Sequence, residues 1–348
     1  MPRKERPGPR RPTIADIAAR AGVSKVSVSY ALNGHRGLSE STRLRILAIA
    51  DEIGWQPNRA ARALSASRAG ACGLAFARPA RTLAYEPFFS KLLSGIEAEL
   101  SAHEIGLMLQ IVEDIEAEKG ALRRWWAVHQ VDGVLLVDLR VKDPRIEVVE
   151  ELHLPAVIVG GPGATRGVPF LPGNDMSGVQ VIVEHLVSLG HRRIDRVAGS
   201  PSFASTQYRT RVLKQVLDRA HATGRVVATD YTSAAGAAAT RRLLSGSSLP
   251  TAIIYDNDIM AVAGLGVAQE MGIAVPEALS VVSFDDSILC EVVRPALTAC
   301  ARDIEAFGAK AAHILIDLID GAPVAEQSEE PSSLVIRAST GPPASWTR

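Results

Sequence analysis

The residue types that could do chemistry crowd into ten positions near the N-terminus, 24-SKVSVSYALN-33. Its alternating Val and Ser would suit a half-buried strand entering an Asn-Gly hairpin turn. Helical spacing gives another reading. It puts Val28, Ala31 and Leu32 on an inner face with Ser24, and turns Lys25, Val26, Ser29, Tyr30 and Asn33 outward. The outer face then carries a cation, hydroxyls, an amide and an apolar side chain, a surface presented to something outside the protein. Valine at 26 gains little in water unless a partner covers it. This is recognition chemistry, not catalysis: the chain has no G-x-S-x-G, H-E-x-x-H or G-x-x-x-x-G-K-[ST], and no G-x-G-x-x-G after a strand.

The neighbours decide between strand and helix. Thr13 can cap a helix with Ile14, Ile17 and Ala18 at i, i+3, i+4 spacing, and Gly22 stops it. Ser24 caps a second helix, which Asn33-Gly34 can close with a left-handed turn. Ser39 caps a third, with Leu44, Leu47, Ala48 and Ile53 as its expected apolar stripe. Three short helices leave a lone strand no sheet to join, so the stretch is expected to be helical. The turn around Gly22 gives helix-turn-helix spacing, in which one helix buttresses and the second enters the major groove.

Charge supports a polyanion partner. Net charge is zero over 348 residues, yet residues 1–68 hold thirteen Lys/Arg against five Asp/Glu, leaving +8 there and −8 on the remainder. Residues 1–12 are expected to be a disordered basic arm, and 57-PNRAARALSASR-68 a linker helix too short to stand alone. No apolar run is long enough to span a membrane, and no apolar stretch follows the basic N-terminus as in a secretory signal. A cytoplasmic location is expected. Cys72, Cys290 and Cys300 are scattered, and His103, His129 and His153 sit too far apart for metal-ligand spacing. Neither a metal nor a cofactor is expected.

From residue 70 the pattern changes. Apolar runs at 71–76, 106–112, 131–137, 155–160, 193–199, 225–231, 251–256 and 280–286 alternate with amphipathic stretches such as 88-FFSKLLSGIEAEL-100 and 258-DIMAVAGLGVAQEM-271. Buried strands alternating with helices imply parallel, doubly wound sheets. Eight strands are too many for one mononucleotide-type sheet, so two similar α/β subdomains are expected, with ligands bound at strand carboxyl ends in the cleft between them.

The runs 13-TIADIAARAGVSKVSVSYALNG-34 and 39-SESTRLRILAIADEIGWQPNRAARAL-64 closely resemble the headpiece of LacI-family bacterial transcription regulators. The likeness continues in 87-PFFSKLLSGIEAEL-100, 131-VDGVLL-136, 185-HLVSLGHRRI-194, 250-PTAIIYDNDIMAVAG-264, 280-SVVSFDD-286 and 337-RAST-340, covering residues 13–340 in family order. It implies an all-α helix-turn-helix headpiece (13–56), a hinge helix (57–68) and a periplasmic-binding-protein-like body (69–340). The body would comprise an N-subdomain (69–168 and 300–326) and a C-subdomain (169–299 and 327–340), followed by a tail (341–348).

It also implies a DNA-binding regulator, a repressor, acting as a homodimer on a palindromic operator, nucleoid-associated when bound, and controlled by a small-molecule effector such as a sugar. The alternative, a sugar receptor without DNA activity, fits the basic head poorly. By resemblance, Lys25, Val26, Ser29, Tyr30 and Asn33 would face bases, and Thr13, Ser24 and Ser27 would approach phosphates. Leu64, beside Ala61, would wedge between base steps. Asn58 can cap the hinge helix, and Arg59 would add salt-sensitive attraction. In the body, Phe88, Arg211, Tyr231, Asn257, Asp258 and Asp285 would line the effector cleft. Asp258 could instead cap the helix after it, and Arg211 could be a surface arginine. Tyr30 departs from the arginine of many relatives and cannot make that residue's bidentate guanine contact.

Overall fold

The computed structural model describes residues 12–32, 34–55, 68–78, 86–161, 167–324 and 331–344. Asn33, Asn58, Arg59, Ala61 and Leu64 lie outside them. The chain divides into two compact units, 1–69 and 70–348.

Among its described residues the first unit holds three helices: α1 (Ile14–Ala21), α2 (Lys25–Leu32) and α3 (Glu40–Glu52). Thr13 precedes α1 with extended backbone, and its amide and hydroxyl both donate to the Asp16 carboxylate, at 2.7 and 2.6 Å. Gly22 ends α1 in the left-handed region at φ 65°, a conformation that a side chain would strain. Ser24 Oγ then accepts from Ser27 N at 3.1 Å. The core is Ile17, Ala18, Ala21, Val28, Ala31, Ile46 and Ala50, with Leu32, Ile49 and Ile53 packed against it. Two expectations are corrected here. Ser24 is exposed, because its hydroxyl is spent on the helix start. The stripe of α3 is Ile46, Ile49, Ala50 and Ile53, while Leu44 and Leu47 are exposed; a helix of mixed periodicity settles on whichever face α1 and α2 can cover.

The second unit contains two sheets. The first has strands in the order β2 (Gly106–Ile111), β1 (Ala71–Phe76), β3 (Gly133–Leu136), β4 (Ala156–Val159) and β5 (Phe170–Leu171), all parallel. The second has the order β11 (Ser333–Val335), β10 (Thr298–Ala301), β9 (Ser280–Ser283), β8 (Ala252–Tyr255), β6 (Ile194–Ala198) and β7 (Val226–Ala228), parallel except for β11. Helices α4 (Pro87–Ala102), α5 (Ile115–Ala127), α6 (Pro144–Glu151) and α12 (Ile304–Ile319) accompany the first sheet. Helices α7 (Asp175–Ser188), α8 (Ala204–Arg219), α9 (Ser233–Leu244), α10 (Asp258–Glu270) and the short α11 (Ile288–Val292) accompany the second. Each sheet buries both faces, one pair of apolar clusters per sheet.

All eight expected strands are present, slightly shorter than the runs that predicted them. β5, β10 and β11 were not anticipated. The chain passes from the first sheet to the second after β5, returns after β10 through α12, and comes back as β11. The first sheet thus runs on to Leu171, past the expected boundary at 168, because Ile158 and Val159 pair with Phe170 and Leu171.

Candidate functional site

In the first unit, α2 presents its outer face as its spacing predicts. Val28 and Ala31 are buried, while Val26 is 61% and Tyr30 42% exposed. Lys25 is exposed beside them and Ser29 is partly so. Tyr30 is steadied by His35, whose ring meets it edge-on with centroids 5.6 Å apart. A small apolar core of Ile17, Val28, Ala31 and Ile46 thus holds a short helix whose Val26 and Tyr30 stay exposed.

In the second unit a cleft lies at the carboxyl ends of both sheets, enclosing a cavity of about 90 Å³. Phe88, Tyr231, Asn257 and Asp285 line it, as expected. Tyr231 has a left-handed backbone, φ 69°, and its hydroxyl bonds Thr206 Oγ1 at 3.0 Å. Asn257 caps α10 by accepting from Met260 N at 2.9 Å, and its amide donates to Tyr231 O at 3.2 Å. Asp285 pairs with Arg302.

Two expected cleft residues lie elsewhere. Arg211 is exposed and borders a separate shallow surface depression. The arginine in the cleft is Arg209, two positions earlier on α8: a shift of two residues turns a helical side chain by about 200°. Arg209 Nε donates to Asp175 Oδ1 at 2.7 Å, and its guanidinium lies over the Phe284 ring, 3.8 Å from the centroid. Burial opposes its charge, but Asp175 and Asp256 outweigh that and raise its pKa. Asp258 is buried in a smaller adjoining cavity. There it accepts from Ser287 Oγ and Ile259 N, so it fastens α10 to α11 rather than facing the main cleft. Burial, then the Asp285 charge, pushes its carboxyl up to about 6.

Several cleft residues have no counterpart among those expected. Asp256 is held by Arg196 through two contacts, 2.6 and 2.7 Å, and by Gly199 N at 2.9 Å. Burial works against its charge, and the Arg196 and Arg209 cations overcome it to lower the pKa. Arg302 is largely buried, its guanidinium over Phe284 at 5.0 Å, and its Nε has no hydrogen-bond partner among the described residues. Arg78 lies against three rings, those of Phe89, Phe203 and Tyr231, at 5.1, 4.8 and 4.9 Å. Its Nε is 2.6 Å from Asp138 and its Nη1 3.5 Å from Glu86. Burial drives the Glu86 carboxyl up to about 8 despite Arg78. A usable signal existed: Arg78, Asp138, Asp256, Asp285 and Arg302 each fall within two residues of the carboxyl end of a strand.

The arrangement is one of hydrogen-bonding partners and aromatic faces. Among the described residues no cluster of His, Cys, Asp and Glu could hold a metal ion, and no helix is long and apolar enough to cross a membrane.

Residues 13–58 match the model of bacterial regulatory proteins of the lacI family, and 183–340 that of the periplasmic binding protein-like domain. The HTH-type transcriptional regulator CelR of Thermobifida fusca is 32% identical over 336 residues, 94% of this chain and 96% of that protein. The chain belongs to the lacI family. Among solved relatives, the lac repressor dimer bound to operator and the anti-inducer ONPF superposes with TM-score 0.84 at 26% identity, covering 95% of this chain and all of that one. A CelR–cellobiose complex superposes with TM-score 0.71 at 29% identity, covering 94% of this chain and all of that one. The lacI-family protein described here is therefore a DNA-binding transcriptional regulator and not an enzyme.

Proposed function

We propose that this lacI-family regulator is a repressor. It binds a palindromic operator as a homodimer in the cytoplasm and answers to a neutral, hydroxylated ring, a sugar, held in the cleft of its second unit. The observation that carries the reading is the lining of that cleft. Phe88, Phe89 and Tyr231 offer ring faces, and Asp285, Arg209 and Arg302 offer hydrogen-bonding groups already paired with opposite charges. Paired charges leave little net field, which favours a neutral polar ligand, and ring faces suit the apolar side of a sugar. The CelR–cellobiose complex makes cellobiose the first compound to try.

Lys25, Val26, Ser29 and Tyr30 supply the base-facing side of α2, with Asn33, Asn58, Arg59, Ala61 and Leu64 as further candidates by resemblance. Dimerisation is supported by apolar surface that needs cover: Leu109 and Ile111 on edge strand β2 are each 42% exposed, and Ile288 and Val292 on α11 more so. A thermal-shift screen of neutral mono- and disaccharides, beginning with cellobiose, tests the ligand class. The expected result is stabilisation that Arg209→Ala and Asp285→Ala abolish. Stabilisation that survives both substitutions would remove the cleft from the account.

A further inference from the structure

Arg78 follows β1 in the first half of the second unit, but it reaches across the cleft. Two of its three ring contacts, Phe203 and Tyr231, belong to the second half. Its own half supplies Phe89, Asp138 and Glu86. The guanidinium therefore sits where the two halves meet, beside Phe89, Tyr231, Asp138 and Glu86 of the cavity lining and against Phe203, which lies outside that lining. With it in place about 90 Å³ remains, below the roughly 300–1,000 Å³ that small-molecule sites take up. The Arg78 Nε and Asp138 Oδ2 atoms are 2.6 Å apart, yet among the described residues neither makes a well-aligned hydrogen bond, so the pairing is chiefly electrostatic.

The mouth of the cleft is fastened next to this contact. Val141 N donates to Ser202 O at 3.1 Å and Ala204 N to Leu139 O at 2.8 Å, forming an antiparallel bridge between Arg140 and Phe203. The Phe203 ring has Arg78 at 4.8 Å and Arg140 at 5.8 Å. The two halves thus meet around a side chain of the protein itself.

We propose that Arg78 is a built-in pseudo-ligand of the cleft, and that it sets the class of effector by what a newcomer must replace. The effector must give the three rings an apolar face and give Asp138 and Glu86 hydrogen-bond donors. A neutral hydroxylated ring does both. An anionic sugar offers the same ring face and hydroxyls but sets its own charge against the Asp138 carboxylate. This inference rests on the reading that the cleft is the effector site. Removing Arg78 frees the space and loosens the mouth, and a neutral ligand no longer has to displace a stacked cation.

The test compares the wild type with Arg78→Ala and Arg78→Gln in the full chain, the second variant keeping a polar side chain should the first fold poorly. Amide hydrogen exchange at Val141 and Ala204 is the ligand-independent readout, and should speed up by about tenfold in both variants. Calorimetric titration with cellobiose, or whichever neutral saccharide stabilises the wild type, should show roughly tenfold tighter binding in the variants. Cellobionic acid, the carboxylate analogue, should bind none of the three. Unchanged exchange at both amides would overturn the proposal. So would weaker binding of the neutral sugar in both variants, which would make Arg78 a direct contact for ligand. If no saccharide binds even the wild type, the sugar reading fails while the exchange rates still decide whether Arg78 holds the cleft shut.

Discussion

The ring of Tyr231 stands against the backbone of Gly199: a Cβ at position 199 would meet Tyr231 Cζ at 1.8 Å. The tyrosine can form a wall of the cleft only because residue 199 has no side chain. Gly199→Ala should therefore turn the ring out of its place, away from Arg78 and Thr206, and lower effector affinity at least tenfold, on the order of 1.4 kcal/mol. Gly266→Ala is the control. Its Cβ on α10 would meet nothing within 4 Å, and relief of a mid-helix glycine should stabilise by about 0.5–1 kcal/mol with binding unchanged. Titration calorimetry and thermal melts read both effects.

Arg209 and Arg211 sit two residues apart on α8 with opposite fates. Arg209→Ala leaves Asp175 buried without its 2.7 Å partner. It should cost about 3–5 kcal/mol of stability, together with effector binding. Arg211→Ala, on the exposed side, should change either by less than about 0.5 kcal/mol. Equal effects of the two substitutions, measured by denaturant unfolding and titration, would contradict the placement of α8.

Glu86 gives the melting temperature a pH dependence. Its carboxyl has an ordinary value of 4.5 and is pushed up to about 8 in the fold, by burial first. The folded state therefore holds the proton more tightly than the unfolded chain. The stability this contributes is complete below pH 4.5 and is lost as pH rises through 8. Glu86→Gln lacks the titration. Its melting temperature minus that of the wild type should grow between pH 5 and 8 and level off above, as a series of melts would record.

The α2 surface separates reading from folding. Tyr30→Ala and Val26→Ala remove exposed side chains and should leave the melt of the first unit within about 0.5 kcal/mol, while operator affinity falls about fivefold or more. Val28→Ala empties a fully buried position and should destabilise that unit by roughly 1–3 kcal/mol.

The strands and the recognition helix were legible because their signals are local: β-branched runs for the sheets, caps and a glycine stop for the headpiece. What stayed hidden depended on neighbours distant in sequence. β10, Thr-Ala-Cys-Ala, carries no β-branched run and becomes a strand because Val282 and Ser283 on one side and residues 333–335 on the other pair with it. α3 offered two apolar faces, and the buried one was settled by what α1 and α2 cover. Resemblance chose Arg211 because two arginines share one short motif, and only the pitch of α8 tells which faces the cleft. Arg78 drew no attention at all. Nothing in its sequence neighbourhood shows that Phe203 and Tyr231 will meet it from the opposite half.

The proposed function requires that a ligand in the cleft and DNA on the headpiece act on one another. The direct measurement is operator affinity by fluorescence anisotropy, on DNA selected from a random library by the protein itself, with and without the saccharide that stabilises it. Reciprocal coupling is required: the sugar should change DNA affinity by about 5–150-fold, and operator DNA should change sugar affinity by the same factor. A sugar that binds the cleft while leaving operator affinity unchanged would contradict the account.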